Sequence, residues 1–548
     1  MNGSPDQQSG EQALAPGTWR RVWEFPAYPL IVACLPLLNI FANNRSLFPD
    51  AAVLVRPFVV SVLAAALLTI VANRLSRNRH RGSLLIAILL ALLANGESVA
   101  EPIARVMGQT VGMDMGPEYP LLGIFVTLAL IVTLSRIPPV VTVAANVWAV
   151  VMLCFYLMIW GFMPLLQALD GTEQENLTPR DVFAGARATG DKPDIYHITL
   201  DGYARADVLR ELYEFDNTDF LDRIRGLGFA VAERATTPYN QTQLVMSSIF
   251  EGAYLHRSEE GRNRSPGDYR DRIRERFLEN STVMALTRME YQIAATYTEY
   301  SPVDIGRHDM IAPRPWLELT FFERVAFERN ALSLLALKFD SLNQGENHTI
   351  SMMRDAYSAP FARTLGRPAF LFTHQLAPHP PFDVSRDGER RKTIRRPHRL
   401  VDATVFHDGE ESLRLEYKNG YVEKLLLINA ETIRYLERLI RDLPDPKIVI
   451  LHGDHGGGLY VDQENLDATC VKERFSPLLA LYSSDGQLQD RLGDDFNLVN
   501  LYRLIFNTYF ETDLPMLESE NYFAPYLAPS NHLRINAEDW EKSCRTTG

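Results

Sequence analysis

Four stretches of this 548-residue chain carry acids, imidazoles and a hydroxyl where a metal-assisted reaction would use them. Lys447 to Gly458 is a short β-branched run that ends in Asp454-His455 and three glycines. A carboxylate and an imidazole at the carboxyl end of a strand suit a divalent metal. The glycines permit a sharp turn and leave space for a ligand. Ile198-Thr199-Leu200-Asp201-Gly202-Tyr203 is a second strand end with an acid. Phe370 to Phe382 is the third and carries His374 and His379. Singly, each has a plainer reading: Asp-Gly is a common turn, and a lone histidine is often a core or loop residue. Three strand ends with ligand-type side chains set a metal centre against three coincidental turns as rival readings.

A metal needs something to act on. The run Tyr239-Asn240-Gln241-Thr242-Gln243-Leu244 puts a hydroxyl at the start of a helix predicted over Thr242 to Phe250. Thr242 could be a helix cap and nothing more. The same place offers unpaired N–H groups and a partial positive charge, which suit an anionic ester. A hydroxyl bound to a divalent cation loses its proton easily and becomes a nucleophile.

The elements that must position these residues alternate between strand and helix. Strands are predicted at Ile195 to Leu200, Phe229 to Ala232, Ala369 to Thr373, Ile448 to Leu451 and Leu478 to Tyr482. Helices are predicted at Thr218 to Leu227, capped by Asp216 or Asn217, and at Leu498 to Phe510. A longer one runs from Tyr417 to Leu443, with Tyr421, Leu425, Ile428, Ile433, Leu436 and Ile440 facing inward. Such alternation predicts an α/β domain with a mainly parallel sheet, covered on both faces, with ligands at the carboxyl strand ends. Residues 255 to 365, rich in arginine and aromatics, read only as an insertion near the site.

The ordered set Leu-Asp-Gly, Asn-Gln-Thr opening a helix, Pro-His-Pro-Pro-Phe and Gly-Asp-His-Gly resembles the sulfatase-like branch of the alkaline phosphatase superfamily. It is most similar to the membrane-anchored phosphotransferases: lipid A phosphoethanolamine transferases, lipoteichoic acid synthases and phosphoglycerol transferases. The resemblance covers residues 190 to 510. It implies that Asp201, Thr242, Asp454 and His455 hold the metal and that Thr242 is the nucleophile. It implies that His379 contacts the transferred group, that His374 assists or holds a second metal, and that Asn240 lies beside the substrate. Oxygen ligands with one imidazole suit zinc or manganese, with magnesium or calcium as alternatives. The implied reaction moves a phosphoryl-linked head group from a membrane lipid donor to an envelope lipid or glycan acceptor through a phospho-threonine. A phosphodiester or sulfate-ester hydrolase using the same site is the alternative. Sulfatases need a Cys or Ser in a Cys/Ser-x-Pro/Ala-x-Arg context, which no cysteine here provides. Asp201 also stands where the named transferases often have glutamate. A transporter or sensor whose outer domain only binds a ligand is a rival of another class, and its expected intramembrane ionisable residues are few.

The membrane part is read from composition. The hydrophobic content of 46% and net charge of −13 average two unlike parts. The acids lie almost entirely after residue 166, which argues against a nucleic-acid partner. Spans are predicted at 26–42, 53–73, 82–96, 119–135 and 139–165, a bundle of about five transmembrane helices. The third, Gly82 to Gly96, is short enough to be re-entrant or tilted. Arg20, Arg21, Arg74, Arg77, Arg79, Arg81 and Arg136 fall on one side, against Arg45 and Arg105 on the other. The N-terminus is then cytoplasmic. Five crossings of the inner (plasma) membrane leave the catalytic domain extracytoplasmic (periplasmic); four would leave it inside. Arg56 and Glu97 at span edges read as snorkelling residues. The expected division is a disordered tail at 1–17, a transmembrane domain at 18–165, a linker at 166–191 and a catalytic domain at 192–548. Cys34 and Cys154 fall in apolar spans, and the spacing of Cys470 and Cys544 leaves their pairing open.

Overall fold

The computed structural model describes residues 23–43, 51–111, 118–158, 181–188, 190–255, 266–296, 367–382 and 410–542. It also describes isolated positions between them, including 310–311, 322–323, 402–403 and 544. The expected tail at 1–17 and residues 166–180 of the expected linker lie outside the described residues. The chain divides into two compact units, 1–174 with 319–344 and 175–318 with 345–548.

In the first unit each predicted span holds a helix among the described residues: α1 (Tyr28–Asn43), α2 (Val55–Ser76), α3 (Arg79–Val111), α4 (Glu118–Leu134) and α5 (Pro139–Leu157); residues 159–165 of the fifth span lie outside the described residues. The third is longer than the expected segment. It is one continuous helix of 33 residues, with no re-entrant turn at its middle. The polar residues that follow Asn95-Gly96 end the apolar run, but Glu97 and Glu101 are good helix formers. Gly82 lets α3 approach α2, since a Cβ there would collide with the Asn73 side chain. By length and composition α2 and α5 could cross a membrane, while α1 and α4 contain shorter apolar stretches. Outward residues are apolar, as in Val60, Leu63 and Leu67, each at least 60% exposed. The buried Asn146 on α5 clamps the start of α1. Its Oδ1 accepts from the Tyr28 N–H at 2.9 Å and its Nδ2 donates to the Phe25 carbonyl at 2.7 Å. Arg56 is more than a snorkelling residue: its Nε donates to Glu323 Oε1 at 2.5 Å.

The second unit is a three-layer α/β/α sandwich. Its strands are β1 (Asp194–Leu200), β2 (Ala230–Val231), β3 (Gln292–Ala295), β4 (Met310–Ile311), β5 (Ala369–Gln375), β6 (Lys447–Gly453) and β7 (Leu479–Ser483). They lie in the order β2-β7-β6-β1-β5-β3-β4. The run β6-β1-β5-β3-β4 is parallel, and β7 is antiparallel to β6 and β2. The sheet is thus mainly parallel, as the alternation predicts. Residues 292–311, expected to belong to an insertion, supply two of its strands.

Alternate side chains enter the two cores. Ile195, Phe370, Phe372, Ile448 and Ile450 pack on α8 (Thr242–Glu251), α10 (Ser281–Arg288) and α13 (Leu501–Tyr509). Tyr196, Ile198, Leu200, Val449 and Leu451 pack on α6 (Ala206–Leu212), α7 (Thr218–Gly226) and α11 (Glu411–Asp442). Two further helices are α9 (Pro266–Leu278) and the short α12 (Val471–Phe475). Part of the expected linker belongs to the core as well, because Phe183 is fully buried and stacks on Phe506 at 4.2 Å. Asn217 occupies the cap position of α7, and the side-chain bond comes from the other expected residue. Asp216 Oδ1 accepts from the Thr218 N–H at 3.1 Å, whereas Asn217 turns to Tyr203 and Asn429.

Candidate functional site

Strand register brings the predicted residues together. Leu200 on β1 is level with Gln375 on β5 and with Gly453 on β6. One residue further on lie Asp201 and Asp454, and His455 follows. His374 stands level with Thr199. Asp201, Asp454 and His455 each offer a ligand atom, all within 4.8 Å of one another. His455 Nε2 is 3.4 Å from Asp454 Oδ2 and 3.7 Å from Asp201 Oδ1. His374 Nε2 is 3.5 Å from Asp201 Oδ2. Thr242 opens α8 and holds Oγ1 3.2 Å from His455 Nε2. All five residues are buried.

The group has the marks of a cation site. Asp201 Oδ1 and Asp454 Oδ2 are buried and have no hydrogen-bond partner among the described residues. Two bare carboxylate oxygens beside each other are costly without positive charge. Burial and the neighbouring Asp454 raise Asp201 well above the usual carboxylate range. Burial also opposes ionisation of Asp454. The nearby His455 and His374, the Gly202 N–H and the Thr242 hydroxyl outweigh it and hold that acid down to about 2. The imidazole is set for coordination. His455 Nδ1 lies 2.8 Å from the Gly456 carbonyl, which fixes the ring proton there and turns the Nε2 lone pair toward the acids. The glycine after it has a steric reason, since a Cβ at Gly456 would strike the Glu473 carbonyl. Two carboxylates, an imidazole and a hydroxyl fit zinc or manganese. Asp454→Ala should therefore lower zinc affinity at least about 100-fold in a competition titration with a chromophoric chelator. Unchanged affinity would remove Asp454 from the ligand set.

His379 sits beside this group. Its N–H donates to the Asp201 carbonyl at 3.0 Å. Its Nδ1 lies 2.7 Å from the Pro380 carbonyl, which leaves Nε2 as the working nitrogen. Burial, the largest influence, lowers its pKa below the usual 6.5. Asn240 is placed differently from a side-chain substrate contact. Its amide is committed to the Ala524 backbone, accepting at 2.8 Å and donating at 3.1 Å.

Sequence reading missed four buried polar residues around the site. Arg474 Nη1 lies 2.5 Å from Asp402 Oδ2, and its Nε donates to the Asn240 carbonyl at 2.8 Å. Tyr417 donates to Asp402 Oδ1 at 2.5 Å. Burial disfavours the Asp402 charge, but Arg474, His379 and His455 hold the acid well below the carboxylate range. Glu473 accepts from Tyr213 and from the Leu459 and Tyr460 N–H groups, and burial lifts it to about 7. Lys424 is buried on α11. Two of the four, Glu473 and Arg474, come from a five-residue helix with no periodic signal. A lysine inside the inward stripe of α11 is the one sign that was legible. Cys470 and Cys544 form a disulfide, with Cα atoms 4.8 Å apart.

No family model and no curated protein matches the chain. Among solved structures it is similar to the C-terminal periplasmic domain of EcEptC from Escherichia coli in complex with Zn. That likeness has 12% identity, covers 64% of this chain and 96% of that one, and has a TM-score of 0.38. It is similar to the integral membrane protein lipooligosaccharide phosphoethanolamine transferase A from Neisseria meningitidis, at 12% identity, 87% and 95% coverage and a TM-score of 0.35. It is also similar to the phosphonate monoester hydrolase SpPMH from Silicibacter pomeroyi, at 14% identity, 57% and 72% coverage and a TM-score of 0.37. All three neighbours lie below 15% identity. Their TM-scores lie below 0.5, so what this chain does is read from its own side chains.

Proposed function

We propose that the chain is a membrane-anchored, metal-dependent transferase that moves a phosphoryl-linked head group from a lipid donor to an envelope acceptor through a phospho-threonine at Thr242. One observation carries the reading: a hydroxyl at a helix start stands 3.2 Å from the imidazole of a buried acid–acid–imidazole group. Asp201, Asp454, His455 and Thr242 would hold a divalent ion, zinc or manganese before magnesium or calcium. When bound, that ion acidifies the hydroxyl and neutralises ester charge, a contribution of several kcal/mol.

The rest is done by the chain. Thr242 Oγ1 bonds to phosphorus in line while the bond from phosphorus to the leaving alcohol breaks. His379 Nε2 takes the Thr242 proton and passes it to the leaving oxygen. In the second half, an acceptor hydroxyl gives its proton to Nε2, its oxygen displaces Thr242 from phosphorus, and Nε2 returns the proton to Thr242 Oγ1. The N–H groups at the start of α8 favour the phosphoryl charge. His374 borders the Asp201 side of the site, and Asn240 fixes the approach to α8 against Ala524. The apolar helices would anchor the chain in the bilayer that supplies the donor. The Cys470–Cys544 bond suits an oxidising, extracytoplasmic compartment.

The test is intact-mass measurement of the full-length, zinc-loaded protein after exposure to phospholipid vesicles. A head-group phosphoryl adduct is expected on the wild type and on His379→Ala, and none on Thr242→Ala. Discharge of the adduct by a glycolipid faster than by water identifies a transferase; discharge by water alone identifies a hydrolase. No adduct on either competent form would overturn the reading.

A further inference from the structure

Lys424 takes no part in the steps above, yet it is held where it can govern them. Its side chain is buried, at 1% exposure. Nζ donates to the carbonyls of His379 at 2.6 Å, Leu376 at 3.0 Å and Pro381 at 3.2 Å. Burying an ammonium is costly, and three converging carbonyl dipoles offset that cost. The loop it grips contains Pro378, Pro380 and Pro381, which lack the N–H groups that would tie it into a ladder. A side chain from elsewhere must fix it instead.

The neighbours of Lys424 on α11 act on adjacent parts of the site. Tyr417, Gly420, Tyr421 and Lys424 fall at i, i+3, i+4 and i+7, on one helix face. Tyr421 donates to the Gly202 carbonyl at 2.7 Å and accepts from the Ala204 N–H at 3.0 Å, directly after Asp201. Gly420 leaves room for Phe382, which a Cβ there would strike. The two gripped segments also meet each other, since the His379 N–H donates to the Asp201 carbonyl.

We propose that Lys424 is a positioning residue: by holding the 376–382 loop, with Tyr421 holding the turn after Asp201, it sets His379 Nε2 relative to Thr242. The inference rests on the transferase reading for the role of His379. Its consequence is selective. A donor whose leaving oxygen needs a proton depends on that placement, while one with a stable leaving anion does not.

The experiment uses full-length, zinc-loaded protein with two probes, a p-nitrophenyl phosphodiester and phosphatidylethanolamine in mixed micelles. Lys424→Met should retain zinc and release the first equivalent of p-nitrophenol from the p-nitrophenyl ester at nearly the wild-type rate. On the phospholipid its kcat should fall roughly 100-fold with KM little changed. The double variant His379→Ala/Lys424→Met should be no slower than His379→Ala alone. Equal losses on both probes, no loss on either, or additive losses in the double variant would overturn the proposal. Should Lys424→Met not fold, Lys424→Arg decides: a smaller loss confined to the phospholipid supports the proposal, and a wild-type ratio between the probes overturns it. An adduct on Thr242 from the p-nitrophenyl donor, without the selective loss, leaves the transferase reading standing and removes this one. Absence of any adduct removes both.

Discussion

Thr242→Ala should lose turnover by roughly 10⁴-fold or more while keeping its fold. The reason lies in how the hydroxyl is used. Thr242 is the first residue of α8, Gln241 occupies the cap position, and no side-chain cap bond forms there. The hydroxyl therefore has no helix-capping duty, and Oγ1 meets His455. Removing it should cost stability of only about 1 kcal/mol. Thr242→Ser, which keeps the oxygen, should recover most of the rate. Single-turnover release of p-nitrophenol, read beside a thermal melt, separates the two effects. An alanine variant within tenfold of wild type would show that another group attacks phosphorus.

Acid should unfold the metal-free catalytic unit between pH 6.5 and about 4. Burial lowers His374, His452 and His455 from 6.5 to about 4, and lowers His197 well below its usual value. The folded values lie below the unfolded ones, so the unfolded chain takes up protons first. Stability is complete above pH 6.5 and declines as pH falls; for the first three it stops declining below about 4. A shift of that size corresponds to roughly 3 kcal/mol for each group, against a usual total of 5–15; Glu473, raised to about 7, and Asp201, raised well above the carboxylate range, take up protons in the folded state first and offset part of this loss. Geometry makes the point sharper. His197 Nε2 and His452 Nε2 face each other at 2.7 Å, Tyr502 contacts His197 Nδ1 at 2.6 Å, and His452 Nδ1 meets the Gly453 carbonyl at 2.8 Å. One proton serves the two facing nitrogens, and there is no room for a second. Zinc should reduce the slope, because a coordinated His455 resists protonation. Urea midpoints measured across this range, with and without zinc, provide the check. A flat midpoint from pH 7 to pH 4.5 would refute the account.

The four candidate ligands were legible because each follows a strong local signal: an apolar strand ends, or a helix begins, and a polar residue of ligand type stands there. Register between neighbouring strands then does what no local pattern specifies. Asp402 and Arg474 were not legible. Their burial depends on which distant segments pack against them, and charged side chains ordinarily indicate a solvated surface. The strands β3 and β4 were missed for a related reason. Gln292-Ile293-Ala294-Ala295 is four residues long and weakly β-forming, and its pairing with β5 and β4 makes it a strand. The true length of α3 was hidden because hydropathy ends at Gly96 whereas helical backbone does not.

The covalent tie between Cys470 and Cys544 bears on how the protein must be produced. It joins positions 74 residues apart and encloses β7, α13 and the Glu473-Arg474 pair that braces the site. Closing a loop of that size restricts the unfolded ensemble by about 4 kcal/mol. Material made in a reducing cytosol would forgo that contribution near the bound substrate, so the choice of expression host and secretion route becomes part of the enzymology.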